Sequence, residues 1–407
     1  MKKLAVSFSN NLFDNLIVLL FSVLPLVDSA NGLIVRQGGP SVGSIYKVGL
    51  CAILLLPVLR AQCVKRKTLG SLLAVCVYIF FSVGVNLFLF NETELLSDFI
   101  IKLIFNVATF ALLMENYRNG TLSAMSFYRM LNNSAWLLPA CYLIPYVLGL
   151  GFTVYGNMGY KAFFIAQNEL SLIIVALFFF CLYKLTLKFC FSSLAQAGLI
   201  LLCGLLLNTK ATILACLLGA AVYFVYMLIR MPTRIRLYAL AIMIFACLIF
   251  HKVIIEVCAA MAGRFLSLLT KHYDGSILTA ILSGRDYLAE NAWTALTEEY
   301  FLFRFFFGNG FCSTVLVEMD IVDIFFYLGA FGAAAVVAFL VGVFIKSRKN
   351  LKSDPTCLRS LSFWIIIAFL NVAGHVLFMA MSGCYFVVYL CFLITFRAED
   401  FLTAALS

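Results

Sequence analysis

Charge is scarce in this chain. Asp, Glu, Lys and Arg make up 12% of its 407 residues, against roughly 25% in an ordinary soluble domain. Histidine is scarcer still: His251, His272 and His375 are the three copies, too scattered to suggest a zinc site. No CxxC pair, no His at ligand spacing from a Cys, no internal repeat and no low-complexity tract occurs. Nothing in the sequence calls for a metal or a cofactor. What the chain has in abundance is apolar surface, 64% of residues with a mean hydropathy of +1.05. A water-soluble globule cannot hide that much, so soluble enzymes, nucleic-acid modules and disordered chains are excluded. The expectation is an all-α polytopic membrane protein. Most of its 14 cysteines, Cys181, Cys203 and Cys391 among them, lie in apolar runs and read as small buried hydrophobes.

A span needs about 20 apolar residues. Twelve candidate runs fall near 12–29, 43–59, 70–90, 97–114, 134–152, 168–188, 194–208, 211–229, 236–258, 320–345, 360–380 and 384–397. The first follows Lys2 and Lys3 like a signal peptide, but it continues past Pro25 and is taken as an uncleaved span. Twelve spans put both termini on one side. With the N-terminus inside, 19 of the 29 Lys and Arg fall on the inner side with five acids, leaving ten bases and fourteen acids outside. The net charge of +10 is therefore a positive-inside signal and does not imply nucleic acid as a partner. One outer segment, 259–319, is far longer than the rest. Within it Ser283-Gly284-Arg285-Asp286 reads as a capped helix start. Ala289, Ala292 or Trp293, Leu296 and Tyr300 recur at helical spacing. An earlier piece, 259–271, is also amphipathic.

No charge falls clearly at the centre of a span. The unusual polar residues gather at outer helix ends: Asn168 and Glu169, Lys210 in a very tight turn, His251, Lys252 and Glu256, Glu318, Asp320 and Asp323, and His375. With Arg264, Arg285 and Arg304 from the long segment they suggest one outward-facing cavity at the membrane surface. Each has a plainer reading as well. Acids at helix starts favour the helix dipole, Arg304 among five phenylalanines suits an interfacial anchor, and Glu298 and Glu299 suit a solvated face. Arg285 at a helix start opposes the dipole, which favours anion binding. Such a cavity suits an anionic, lipid-linked substrate. The cations would hold a pyrophosphate, and a carboxylate or imidazole (Glu318, Asp320 or His375) would take a proton from an attacking sugar hydroxyl.

Over roughly residues 160–335 the chain resembles the bacterial O-antigen polymerase and O-antigen ligase superfamily, membrane glycosyltransferases of the C-type fold. The resemblance rests on Gln167-Asn168-Glu169-Leu170, on Leu207-Asn208-Thr209-Lys210-Ala211-Thr212, and on Ser283-Gly284-Arg285. It rests also on Phe307-Gly308-Asn309-Gly310-Phe311, followed by Glu318-Met319-Asp320-Ile321-Val322-Asp323 and Tyr327-Leu328-Gly329-Ala330-Phe331-Gly332. It implies an undecaprenyl-pyrophosphate-linked glycan as donor and a sugar hydroxyl as acceptor. The reaction would run on the periplasmic face of the bacterial inner membrane, without metal or nucleotide sugar. A chain-length regulator is a candidate partner. Arg285 matches one pyrophosphate-binding arginine of the family. Lys210 stands where the family has another, keeping the charge and losing the fork. Ligases usually carry a His before the tenth span, and this chain has Glu318-Met319-Asp320 there, which favours a polymerase. The alternatives are a ligase that attaches polymer to lipid A core and a lipid-linked oligosaccharide flippase.

Overall fold

The computed structural model describes residues 2–60, 66–89, 95–154, 159–230, 277–298, 300–349, 356–372 and 374–397, with scattered positions between 232 and 259 and Glu399. The described chain is all-α apart from one two-stranded hairpin. Among the described residues, five helices are long and apolar enough to cross a membrane, or six if a bent pair counts as one. In chain order the first helices are α1 (Lys2–Ser22), α2 (Leu24–Arg36), α3 (Val42–Arg60), α4 (Arg66–Leu89), α5 (Ser97–Arg118) and α6 (Ala124–Val147). After the hairpin of β1 (Thr153–Val154) and β2 (Gly159–Tyr160) come α7 (Gln167–Leu187), α8 (Phe191–Leu207) and α9 (Lys210–Arg230). The long segment contributes α10 (Ile277–Leu282), α11 (Arg285–Glu298), α12 (Phe301–Phe307) and a 3-10 turn (Ser313–Val315). Then follow α13 (Asp320–Lys349), α14 (Thr356–Leu370) and α15 (Ala380–Thr395).

The full-length candidates are α4, α5, α7, α9 and α13, and the bent pair is α1 with α2. Four further apolar helices, within α3, α8, α14 and α15, are shorter than 18 residues. The expected run at 134–152 lies on α6, which is helical from Ala124 but is not among the five. The run at 236–258 and the piece at 259–271 lie outside the continuously described residues. The run at 360–380 is corrected: α14 stops at Leu370, and residues 371–379 form a loop with Gly374 and His375 at positive φ.

The axis of the molecule is α7. Of its apolar window 89% is buried, against 22–28% for α4, α5, α9 and α13, as an all-round hydrophobic helix requires. Helices α6, α8, α9, α14 and α15 surround it. Small residues let them close in: a Cβ on Gly219 would meet the Phe179 ring at 2.9 Å. The ten described cysteines are free thiols, and six of them are buried. A second apolar cluster lies under the long segment, where Ala292 and Leu296 of α11 pack with Phe311, Val315, Val317, Tyr327 and Phe378. Trp293, by contrast, faces outward.

The glycine motifs form a backbone joint. Helix α13 is kinked at Gly329, whose φ of 66° and ψ of −171° break the ladder. The carbonyls around the kink find other donors: Asn309 N–H bonds Phe326 O at 2.8 Å and Gly310 N–H bonds Tyr327 O at 3.0 Å. Tyr78 donates to Leu328 O at 2.5 Å, and Ser82 to Tyr327 O at 3.3 Å. A Cβ on Gly308 would lie 2.3 Å from the Tyr327 carbonyl, and one on Gly329 would lie 2.3 Å from the Phe306 carbonyl carbon. Two chains cross here at a distance that only glycine allows.

Candidate functional site

Helix α11 begins at Arg285, which follows Ser283 and Gly284, both left-handed, with φ of 57° and 83°. Ser283 therefore closes α10 and does not serve as the extended N-cap that the sequence suggests. This sharp turn throws the Arg285 side chain across to the 371–379 loop. Its Nη1 donates to Val372 O. Its Nη2 lies 3.7 Å from Glu318 Oε2. The Arg285 side chain is only 11% exposed, while that of Glu318 is 46% exposed. The pair is thus a loose one between a nearly buried cation and a half-solvated acid, a partnership that another anion can replace.

Gly374 makes room for this arrangement. A Cβ there would meet Arg285 Nη2 at 2.9 Å, Asn168 Nδ2 at 3.1 Å and the Glu318 carbonyl at 3.4 Å. Three separate elements, the starts of α7 and α11 and the approach to α13, converge on one bare glycine. The next residue, His375, has a φ of 32°. Its ring packs on Phe99 with centroids 4.9 Å apart, and its Nδ1 lies 3.6 Å from Asp323 Oδ2. Both ring nitrogens are buried without a hydrogen bond. Burial pushes the imidazole below its ordinary pKa, Glu318 pulls it upward, and Arg285 presses it down again. The net direction is downward, so His375 is neutral and able to accept a proton near pH 7.

The two acids of the α13 first turn have different duties. Asp320 Oδ2 accepts the N–H groups of Val376 and Leu377, each at 2.9 Å. Asp323 accepts Val317 N–H at 2.7 Å and Met319 N–H at 2.9 Å. Both acids are fully buried. Asp320 therefore shapes the loop that carries His375, and Asp323 shapes the turn that carries Glu318, which itself sits at a φ of 65°. Strained backbone of this kind persists only where the surroundings hold it. The starts of α5, α7, α11, α13 and α15 gather around this loop. Phe99 in the first turn of α5, for example, packs on the His375 ring, with centroids 4.9 Å apart.

Of the residues singled out from the sequence, Arg285, Glu318, Asp320, His375 and Asn168 are brought together. Lys210 is exposed at the start of α9. Its turn is tied to α7 by Thr209, whose hydroxyl lies 3.2 Å from that of Ser171, one helical turn beyond Asn168. No hydrogen bond or ion pair joins Lys210 to Arg285 among the described residues. Arg304 is buried and donates to Ala295 O at 3.0 Å, which ties α12 to α11. His251 is exposed on its helix fragment, and Arg264 and Glu256 lie outside the described residues.

Sequence reading missed Asp323's bond to its own approach turn and, above all, a buried ion pair. Lys47 Nζ bonds Asp28 Oδ1 at 2.7 Å, with side chains 10% and 8% exposed. Glu169 acts electrostatically on both. The signal was a lone Asp and a lone Lys, each a short way inside an apolar run. No family model and no curated protein matches the chain.

Proposed function

We propose that the chain is a bacterial polysaccharide polymerase of the inner membrane. It transfers a glycan from undecaprenyl pyrophosphate to a sugar hydroxyl of a lipid-linked repeat unit, at a site facing the periplasm. In this reading the chain has twelve spans and cytoplasmic termini, as the asymmetry of basic residues suggests. The observation that carries the reading is Arg285. It is a nearly buried guanidinium held against a loose, exchangeable carboxylate, next to a histidine with both nitrogens free of hydrogen bonds.

The chemistry follows from that arrangement. A diphosphate displaces the Glu318 carboxylate and takes the fork of Arg285, with the gathered helix starts adding their positive ends. Lys210 meets the lipid-linked anion from the rim. The acceptor hydroxyl gives its proton to the His375 imidazole, while the Asp323 carboxylate, 3.6 Å from Nδ1, offsets the charge that forms. The acceptor oxygen bonds to the anomeric carbon as the carbon–oxygen bond to phosphate breaks. The diphosphate then leaves with the electron pair, neutralised by Arg285. Asp320 positions the loop without touching the reacting atoms.

Glycan chain length measured in membranes carrying Arg285→Ala tests the proposal. Loss of long chains at unchanged protein level is the expected result, and normal long chains would overturn it. A transporter of lipid-linked oligosaccharide is the second reading, favoured by the buried Asp28–Lys47 pair, because ionisable groups within a bundle often line a transport path.

A further inference from the structure

Arg36 and Lys161 form a pair of cations that the proposed chemistry does not use. Arg36 ends α2 and Lys161 follows β2, and the two meet at Phe152. The hairpin ladder runs on past its strands: Lys161 N–H bonds Phe152 O at 2.9 Å, and Phe152 N–H bonds Ala162 O at 2.8 Å. Residues paired across a ladder present their side chains on one face. The Arg36 guanidinium stacks on the Phe152 ring, 3.7 Å from its centroid. Helix α2 is pressed against the same loop, since a Cβ on Gly32 would lie 1.8 Å from the Phe163 carbonyl oxygen. Backbone pairing and ring stacking thus hold the two cations on either side of one phenylalanine.

Neither cation has an acid among the described residues. Lys161 is 8% exposed, and its ammonium donates to Ile165 O at 2.6 Å, with its other N–H donors unspent among the described residues. Arg36 makes no hydrogen bond and no ion pair among the described residues, and stacking leaves the edge of its guanidinium open. No Asp or Glu occurs between Asp28 and Glu92 or between Glu115 and Glu169, and Asp28 is held by Lys47 at 2.7 Å. Burial lowers the Lys161 pKa, and Arg36 lowers it further. A charge with little water and a like charge beside it is costly, and one shared anion relieves both cations. The surroundings are apolar and open. Leu33, one turn before Arg36, is exposed, as are Leu150, whose carbonyl accepts the Tyr160 hydroxyl, and Ile165, whose carbonyl Lys161 holds. Cations among outward-facing apolar side chains suit the boundary between hydrocarbon and headgroups. We propose that Arg36 and Lys161 bind the phosphate of a membrane lipid, Arg36 through its fork of donors and Lys161 as a point charge. The site shares no residue with the Arg285 centre and is independent of whether the protein polymerises or transports.

The test is thermal unfolding of the full chain in micelles of an uncharged detergent at constant ionic strength. The chain carries Arg285→Ala, which removes the other cation expected to take phosphate. A short-chain phosphatidylglycerol, farnesyl diphosphate and inorganic phosphate are added in turn. At least one of the two lipids is expected to raise Tm by about 2 °C or more. The one that does so separates a phospholipid headgroup from an isoprenoid diphosphate, and a response to both means that the phosphate is recognised whatever its tail. Arg36→Gln and Lys161→Gln, each added to that chain, should remove the gain, and without Arg285→Ala they should lower the gain by a like amount. Arg36 is exposed at a helix end, so Arg36→Gln decides the matter if loss of the Ile165 bond unfolds Lys161→Gln. No gain with either lipid overturns the proposal. So does a gain that Arg36→Gln keeps in full, or an equal gain with inorganic phosphate, which would make the site one for a free anion.

Discussion

The two charged clusters of this protein are built on opposite plans. Arg285, Glu318 and His375 stand on turns, at positive φ or just after it, and their mutual contacts are long. Asp28, Lys47 and Glu169 stand on regular helices, and the one contact between them is short. The first cluster is arranged for exchange, because a 3.7 Å pair with a half-exposed acid is easily replaced by an incoming anion. The second is arranged for retention, because its ion pair has no water to retreat to. Substitutions should therefore cost activity in the first and folding in the second.

The largest expected effect tests the second cluster. Lys47→Met leaves the buried Asp28 carboxylate without its ammonium and should lower stability by about 3–5 kcal/mol, read as a fall in melting temperature and in protein level. In the first cluster His375→Gln should preserve folding and reduce polymer formation about 100-fold. The wild-type rate should rise with pH through the depressed His375 pKa, and that limb should vanish in the variant. Stability carries the same sign. The unfolded imidazole holds its proton up to about pH 6.5, so the His375 contribution is full above that and is lost as pH falls through the folded value.

A smaller effect is expected of Gly374→Ala. The new Cβ would stand 2.9 Å from Arg285 Nη2 at a φ of 73°. The guanidinium must move, and polymer formation should fall about 10-fold with about 1 kcal/mol of stability lost to backbone strain. Smallest is Glu318→Gln. The pair is loose and partly solvated, so its loss should cost no more than about 1 kcal/mol and leave chain length near wild type. A large loss of folding there, or an intact fold in Lys47→Met, would erase the contrast between the clusters.

The helices were largely legible in the sequence, because apolar runs of this length leave little else for the chain to do. Arg285 was legible as a cation in the wrong place for a helix dipole. His375 was legible as a polar residue near an outer helix end and as a candidate base, but not as part of a loop. The break at Leu370 depends on Asp320 holding the N–H groups of Val376 and Leu377, a bond across 56 residues that no local pattern announces. For the same reason Asp320 looked like a catalytic acid, although its one engaged oxygen is given to backbone. Asp28 and Lys47 were not singled out in the sequence, each being a lone charge a short way inside an apolar run. Their pairing depends on the turn between α2 and α3, which lays the two helices against each other. Arg304 looked like an anchor or a phosphate ligand, and the sequence held no sign that the Ala295 carbonyl would claim it.

The crossing of Gly308 and Gly329 bears on how this molecule can move. Straightening α13 would strip four donors from the carbonyls of 326–328 in a single motion, so the bend behaves as a weld. The segment welded there includes the turn just after α12, so the stretch between 308 and 329 has no slack to swing open as a flap. Glu318, the acid that faces Arg285, rides on that clamped stretch, so its reach toward the guanidinium is set by the joint and not by a swinging loop.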